Sequence, residues 1–135
     1  SMKKEEPRGI RNNNPLNIRI GNTWLGERPH PTDKAFEEFV SMEYGVRAAF
    51  MILRRYIRRF GLNTVPTIVA TWAPSSENDT QRYIETVCKC SGIAADEVID
   101  YSDKVTMCKL VDAMAFVENG KHIGFKTIEK GYDIA

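Results

Sequence analysis

The chain has 135 residues, enough for one domain with a genuine core. Hydrophobic residues make up 42% and charged residues 27%, an ordinary balance for a soluble globular protein. A formal net charge of +1 supplies no field that would steer the molecule to nucleic acid or an anionic membrane, and no apolar run approaches the roughly 20 residues that span a bilayer.

Residues 1–7 (SMKKEEP) read as a disordered tail, Ser1 ahead of Met2 being an appended residue, with a single domain expected over 8–135. No apolar stretch of the signal-peptide kind is visible, so the chain is expected to encode no export route of its own. Residues 8–17 (RGIRNNNPLN) are turn chemistry. Asparagines favour Asx-turns and tolerate left-handed backbone, and Pro15 restricts Asn14 to extended geometry. Residues 16–20 (LNIRI) alternate apolar and polar, the pattern of a short half-buried strand. Gly21-Asn22 turns the chain, 23–26 (TWLG) offers a return strand, and Pro29 and Pro31 break regularity before a third candidate at 36–40 (FEEFV). These segments predict a small N-terminal β-hairpin region, too small to stand alone.

The clearest helix is 42–60, with Ser41 as its N-cap and Gly61 as its stop. Val46, Ala49, Phe50, Leu53, Ile57 and Phe60 keep a 3.6-residue period and predict one buried stripe. Arg47, Arg54, Arg55, Arg58 and Arg59 fall mostly on other faces, as expected of a solvated helix surface. Thr64 caps a second helix reaching Thr71 or Trp72, with Pro66 tolerated in its first turn. Residues 73–76 (APSS) break it, and Asn78, Asp79 or Thr80 caps a third helix running to about Cys90. Tyr83, Ile84 and Val87 supply the buried side of that helix. Residues 94–101 are acidic and offer one further helical turn. Ser102 caps a helix with the stripe Met107, Leu110, Val111, Met114 and Val117, which stops at Glu118-Asn119-Gly120. Residues 124–131 offer a last short helix. The expected class is α+β, mostly helical, with no internal repeat, linker or low-complexity segment.

Cys88, Cys90 and Cys108 are an odd number in predicted helices and read as reduced, small apolar side chains. His30 and His122 have no ligand partners nearby in sequence, so neither a metal site nor a cofactor is expected. Phosphate-loop, serine-elbow and zinc-protease signatures do not occur.

The chemistry the residues do permit centres on Glu118. Glycoside cleavage needs a protonated carboxyl beside the leaving oxygen, with its pKa raised by apolar packing. Ala115, Phe116 and Val117 precede Glu118, and a helix C-terminus disfavours further negative charge. The plain alternative is an exposed last turn with its side chain in solvent. A second carboxylate, if used, would come from Asp33 or Glu77. Glu43 reads as a first-turn acid favoured by its helix dipole, and Glu37 and Glu38 as alternating strand residues. With Glu118 alone, the chemistry is that of a lytic transglycosylase, one residue serving as acid and then base while the sugar supplies the nucleophile. Sugar recognition calls for aromatic faces and amides, and Asn13, Asn14, Asn17, Trp24, Trp72, Asn78 and Tyr83 offer both.

Three segments carry a resemblance: RGIRNNNPLNIR (8–19), FVSMEYGVRA (39–48) and TWAPSSENDTQRYIETV (71–87). They resemble a small phage and prophage domain of virion-associated proteins, lysozyme-like in fold, and the similarity runs from Arg8 to Gly120. A second resemblance, to autolysin-type N-acetylglucosaminidases and lytic transglycosylases, rests on the order of Asn-Asn loop, hairpin, long helix and Tyr-bearing turn. Those enzymes place the acid-bearing helix before the Asn loop, whereas here it comes last. The resemblance therefore implies a circular permutation, which adjacent termini would permit. It further implies a peptidoglycan-cleaving enzyme, expected to be a monomer, made in the bacterial cytoplasm and acting at the cell wall or in a virion. Membrane and nucleic acid are not expected partners; virion or injection-apparatus proteins are. Three rivals stay open: a non-catalytic glycan-binding or virion structural module, a nucleic-acid accessory protein using the arginines of 54–59, and an interaction module of a phage-like injection or secretion apparatus.

Overall fold

The computed structural model describes residues 6–135; residues 1–5 of the expected tail lie outside the described residues. Six helices form among them: α1 (Arg8–Arg11), α2 (Met42–Phe60), α3 (Val65–Trp72), α4 (Thr80–Ser91), α5 (Lys104–Asn119) and α6 (Phe125–Ile134). α5 is the centre. Met107, Cys108, Leu110, Val111, Ala113, Met114 and Ala115 are all buried, and so is Asp112, so this helix is covered on nearly every side rather than along one stripe. It packs against α4 and α6 and touches α1 and α2, while α2 and α6 lie along each other.

Local chemistry explains the helix bounds. Thr64 and Thr67 form a reciprocal capping box at α3, with Pro66 in the first turn. Asp79 caps α4 through Arg82 N. At α5 the cap is Asp103, not Ser102: its carboxylate accepts from Thr106 N at 3.2 Å and from Thr106 Oγ1 at 2.7 Å. Ser41 stands at the N-cap position of α2 without a side-chain bond. On α2 the stripe ends early, since Phe60 is exposed. The α2 arginines are not all free in solvent: Arg54 and Arg58 lie over the Tyr101 ring, and Arg47 Nε donates to the Ile134 carbonyl. Residues 94–101 form no helix; there Ile99 N donates to Asn63 O at 2.7 Å and both Ile99 and Tyr101 are buried.

The expected α+β architecture is corrected: the fold is helical, and residues 16–40 form no hairpin and no sheet. Two isolated antiparallel bridges, Arg19 with Phe36 and Glu27 with Phe39, are all that remains of strands 16–20, 23–26 and 36–40 among the described residues. The cause is competition for backbone N–H groups. The Asn14 carbonyl takes Ile18 N. Glu27 takes Trp24 N. Asp33 takes Ala35 and Phe36 N, and Glu38 takes Thr32 and Asp33 N. Side chains thus hold the donors a ladder would use, and Pro29 and Pro31 have none to offer. Alternation in sequence survives as alternation in burial, with Leu16 and Ile18 inside and Arg19 outside.

Candidate functional site

The C-terminal tip of α5 meets the Asn-rich loop. Gly120 ends the helix in left-handed geometry, φ 72°. Just before it, the buried Asn119 amide donates to Pro15 O at 2.8 Å and to Ala115 O at 2.9 Å. One residue along the loop, Leu16 O accepts from the Trp72 indole of α3 at 3.2 Å. α1 approaches so closely that a Cβ on Gly9 would overlap the Asn119 side chain. Residues 15–17 are therefore held from two helices, and Asn17, at φ 52°, adopts the left-handed conformation that asparagine tolerates.

That turn aims the Asn17 amide at Glu118. Asn17 Nδ2 donates to Glu118 Oε1 at 2.8 Å, and the Tyr83 hydroxyl donates to Oε2 at 3.0 Å. Tyr83 comes from the first turn of α4, which Thr80 ties to the preceding loop through Ala73 O at 2.5 Å. Burial raises the Glu118 pKa above the ordinary carboxylate value, while the bonds from Asn17 and Tyr83 pull it back. Burial, reinforced by the Glu118 charge and hydrogen bond, holds the Tyr83 phenol well above its ordinary value, so Tyr83 remains a donor at neutral pH.

Glu118 opens on a polar groove of about 260 Å³ that Arg8, Asn17, Arg19, Phe36, Trp72 and Glu77 also line. On the Tyr83 side a second depression of about 420 Å³ continues along α4 and the end of α5, sharing Asn78. Beyond Trp72 a third, of about 280 Å³, shares Asn17 and Arg19 with the first. The carboxyl thus opens on the middle one of three adjoining surface depressions that share lining residues, rather than on a closed cavity.

The sequence-nominated residues divide. Glu77, Trp72 and Asn78 line the groove, and Tyr83 touches the carboxyl. Asn13 and Asn14 do not enter it. Asn13 donates to Phe39 O, and the fully buried Asn14 bonds the backbone of Ile18 and Glu37. Trp24 packs against the core and borders a separate depression with Met51 and Arg55. The Asp33 carboxylate pairs with Arg8 at 3.5 Å and accepts from Ala35 N, from the Asn12 amide and from Phe36 N, which together hold its pKa near 2. Arg8, Arg19 and Phe36 were not signalled by the sequence; a stack of two guanidiniums on one ring is a tertiary feature without a local pattern. The role of Asn17 as the partner of Glu118, 101 residues away in sequence, had only the turn propensity of Asn as a clue.

No family model matches this chain. It is 39% identical over 134 residues to Protein P5 of Pseudoalteromonas phage PM2, a similarity spanning 96% of this chain and 82% of that protein. The phage kinship expected from the sequence is thereby supported, and the chain belongs to the family of phage PM2 Protein P5.

Proposed function

We propose that this protein cleaves peptidoglycan glycan strands, with Glu118 as general acid and then base in the manner of a lytic transglycosylase. The observation that carries the reading is a half-buried carboxyl of raised pKa, fixed by two donors, part-way along an open polar groove. A glycan strand is a polymer, and an extended channel suits it where a closed pocket would not.

The Nδ2 group of Asn17 can only donate, so Oε1 stays an acceptor. Oε2 faces a hydroxyl that can reverse its role, and the catalytic proton resides there. Glu118 gives this proton to the glycosidic oxygen as the C1–O bond breaks. The resulting carboxylate accepts the proton of the sugar's 6-hydroxyl as that oxygen closes on C1, leaving an anhydro end and restoring the acid. Trp72 supplies a ring face along the groove, and Asn78 an amide on its rim. Glu77 is exposed and serves the rim rather than the chemistry. In this reading the acid-bearing helix follows the Asn-rich loop in the chain, a circular permutation relative to lytic transglycosylases. The packing of α1 on Asn119, which sets the two segments side by side, supports it.

A zymogram on purified cell wall tests the assignment. Glu118→Gln is expected to leave no cleared band, a loss on the order of 10²–10⁴-fold for a missing general acid, while Glu77→Gln clears like the parent. Clearing by Glu118→Gln overturns the role of Glu118. Sedimentation of the unaltered protein with cell wall, without any clearing, favours the non-catalytic glycan-binding module instead.

A further inference from the structure

The groove holding Glu118 also carries two cations, Arg8 and Arg19, gathered over one aromatic ring. The guanidinium carbons of Arg8 and Arg19 each lie 4.6 Å from the centroid of the Phe36 ring. The backbone under this group is held: Phe36 N donates to Asp33 at 3.0 Å, and the bridge between Arg19 and Phe36 sets those two residues opposite each other. Stacking on an aromatic face orients a guanidinium and leaves its in-plane N–H fork directed outward. Arg8 shares Asp33, at 3.5 Å, but that carboxylate already accepts from Asn12, Ala35 and Phe36. Among the described residues Arg19 has no carboxylate within ion-pair distance. Arg8 and Arg19 line the same groove as Glu118. Arg19 also borders the next depression beyond Trp72.

We propose that Arg8 and Arg19, stacked on Phe36, form a recognition site for a carboxylate carried by the glycan strand and set the strand's register against Glu118. The substrate class rests on the reading above: peptidoglycan strands carry carboxylates on the stem peptide or, where the peptide is absent, on the lactyl arm. Both sources offer the planar two-oxygen acceptor that an arginine fork binds bidentately.

Co-sedimentation with sacculi tests this without requiring turnover. Three probes are used: untreated sacculi, sacculi with carboxyls converted to neutral amides, and peptide-stripped glycan strands. Amidation is expected to weaken binding roughly tenfold or more, the scale of a lost charge-assisted bidentate contact. The exposed substitution Arg19→Gln should cause a similar loss on untreated sacculi and little further loss on amidated ones. Retained binding to stripped strands assigns the carboxylate to the lactyl arm, and lost binding assigns it to the stem peptide. Binding indifferent to amidation, independent losses from amidation and Arg19→Gln, or no binding to untreated sacculi each overturns the site. Turnover with carboxylate-independent binding removes this site and leaves Glu118 its role; carboxylate-dependent binding without turnover does the reverse.

Discussion

Glu118 illustrates how a carboxyl can be tuned by opposing neighbours. Burial disfavours its charge, and the donors Asn17 and Tyr83 favour it. Tyr83→Phe removes one of the two bonds to the anion, so the pKa of Glu118 should rise further. The alkaline limb of the pH–rate profile, where the acid loses its proton, is expected to move to higher pH; a move to lower pH would contradict this balance. Glu37 is a second tuned carboxyl, outside the groove lining. Burial, then the hydrogen bond its protonated carboxyl donates to Glu27 and the Glu27 charge, raises its pKa to about 7. Because the folded value lies above the ordinary one, the folded state binds the extra proton, and the associated stability is complete below about 4.5 and lost as pH rises through 7. Glu37→Gln should therefore gain melting temperature relative to the parent between pH 5 and 8 (roughly the window these values define), as followed by circular dichroism. A difference that stays flat with pH would remove Glu37 from this role. At this scale the sequence singles out Glu118 through its helix-end position after three apolar residues. It does not single out Arg8, Arg19 or Phe36, whose meeting depends on the path of residues 16–40.

Helices are the legible elements here because caps and periodicity agree. Met42–Phe60 is bounded by Ser41 and Gly61, and a single apolar face repeats between them. The central helix is legible in extent but not in environment, since burial extends well beyond one stripe and takes in Asp112 and Asn119, while Val105 and Lys109 stay exposed. The short α1 is hidden by turn residues. The strands fail for a physical reason: alternation reports which side chains are inside, not which groups satisfy the backbone. Here carboxylates and the Asn14 amide take the donors. α2 also reaches the Asn-rich loop, since a Cβ on Gly45 would overlap the Asn13 carbonyl. Gly45→Ala is expected to destabilise by about 1–3 kcal/mol, the usual cost of overpacking, in urea unfolding; an unchanged midpoint would mean that the loop yields freely. Asp103→Ala, which removes the cap of α5, should lower the midpoint in the same measurement, and an unchanged midpoint would mean that the cap contributes nothing.

For the molecule as a whole, residues from opposite ends of the chain share one groove. Asn17 and Glu118 are joined directly, Asn119 holds Pro15, and Trp72 holds Leu16. The α2–α6 and α4–α5 packing around a buried centre keeps those ends in register. Among the described residues no helix is long and apolar enough to cross a membrane. The central claim is that the groove formed where the ends meet cuts glycan strands through Glu118. Its most direct test is the release of soluble muropeptides from purified sacculi, quantified by chromatography for the parent protein and for Glu118→Gln. The account predicts release by the parent and none above background from the variant, with the variant's thermal melt still cooperative; equal release by both would contradict it.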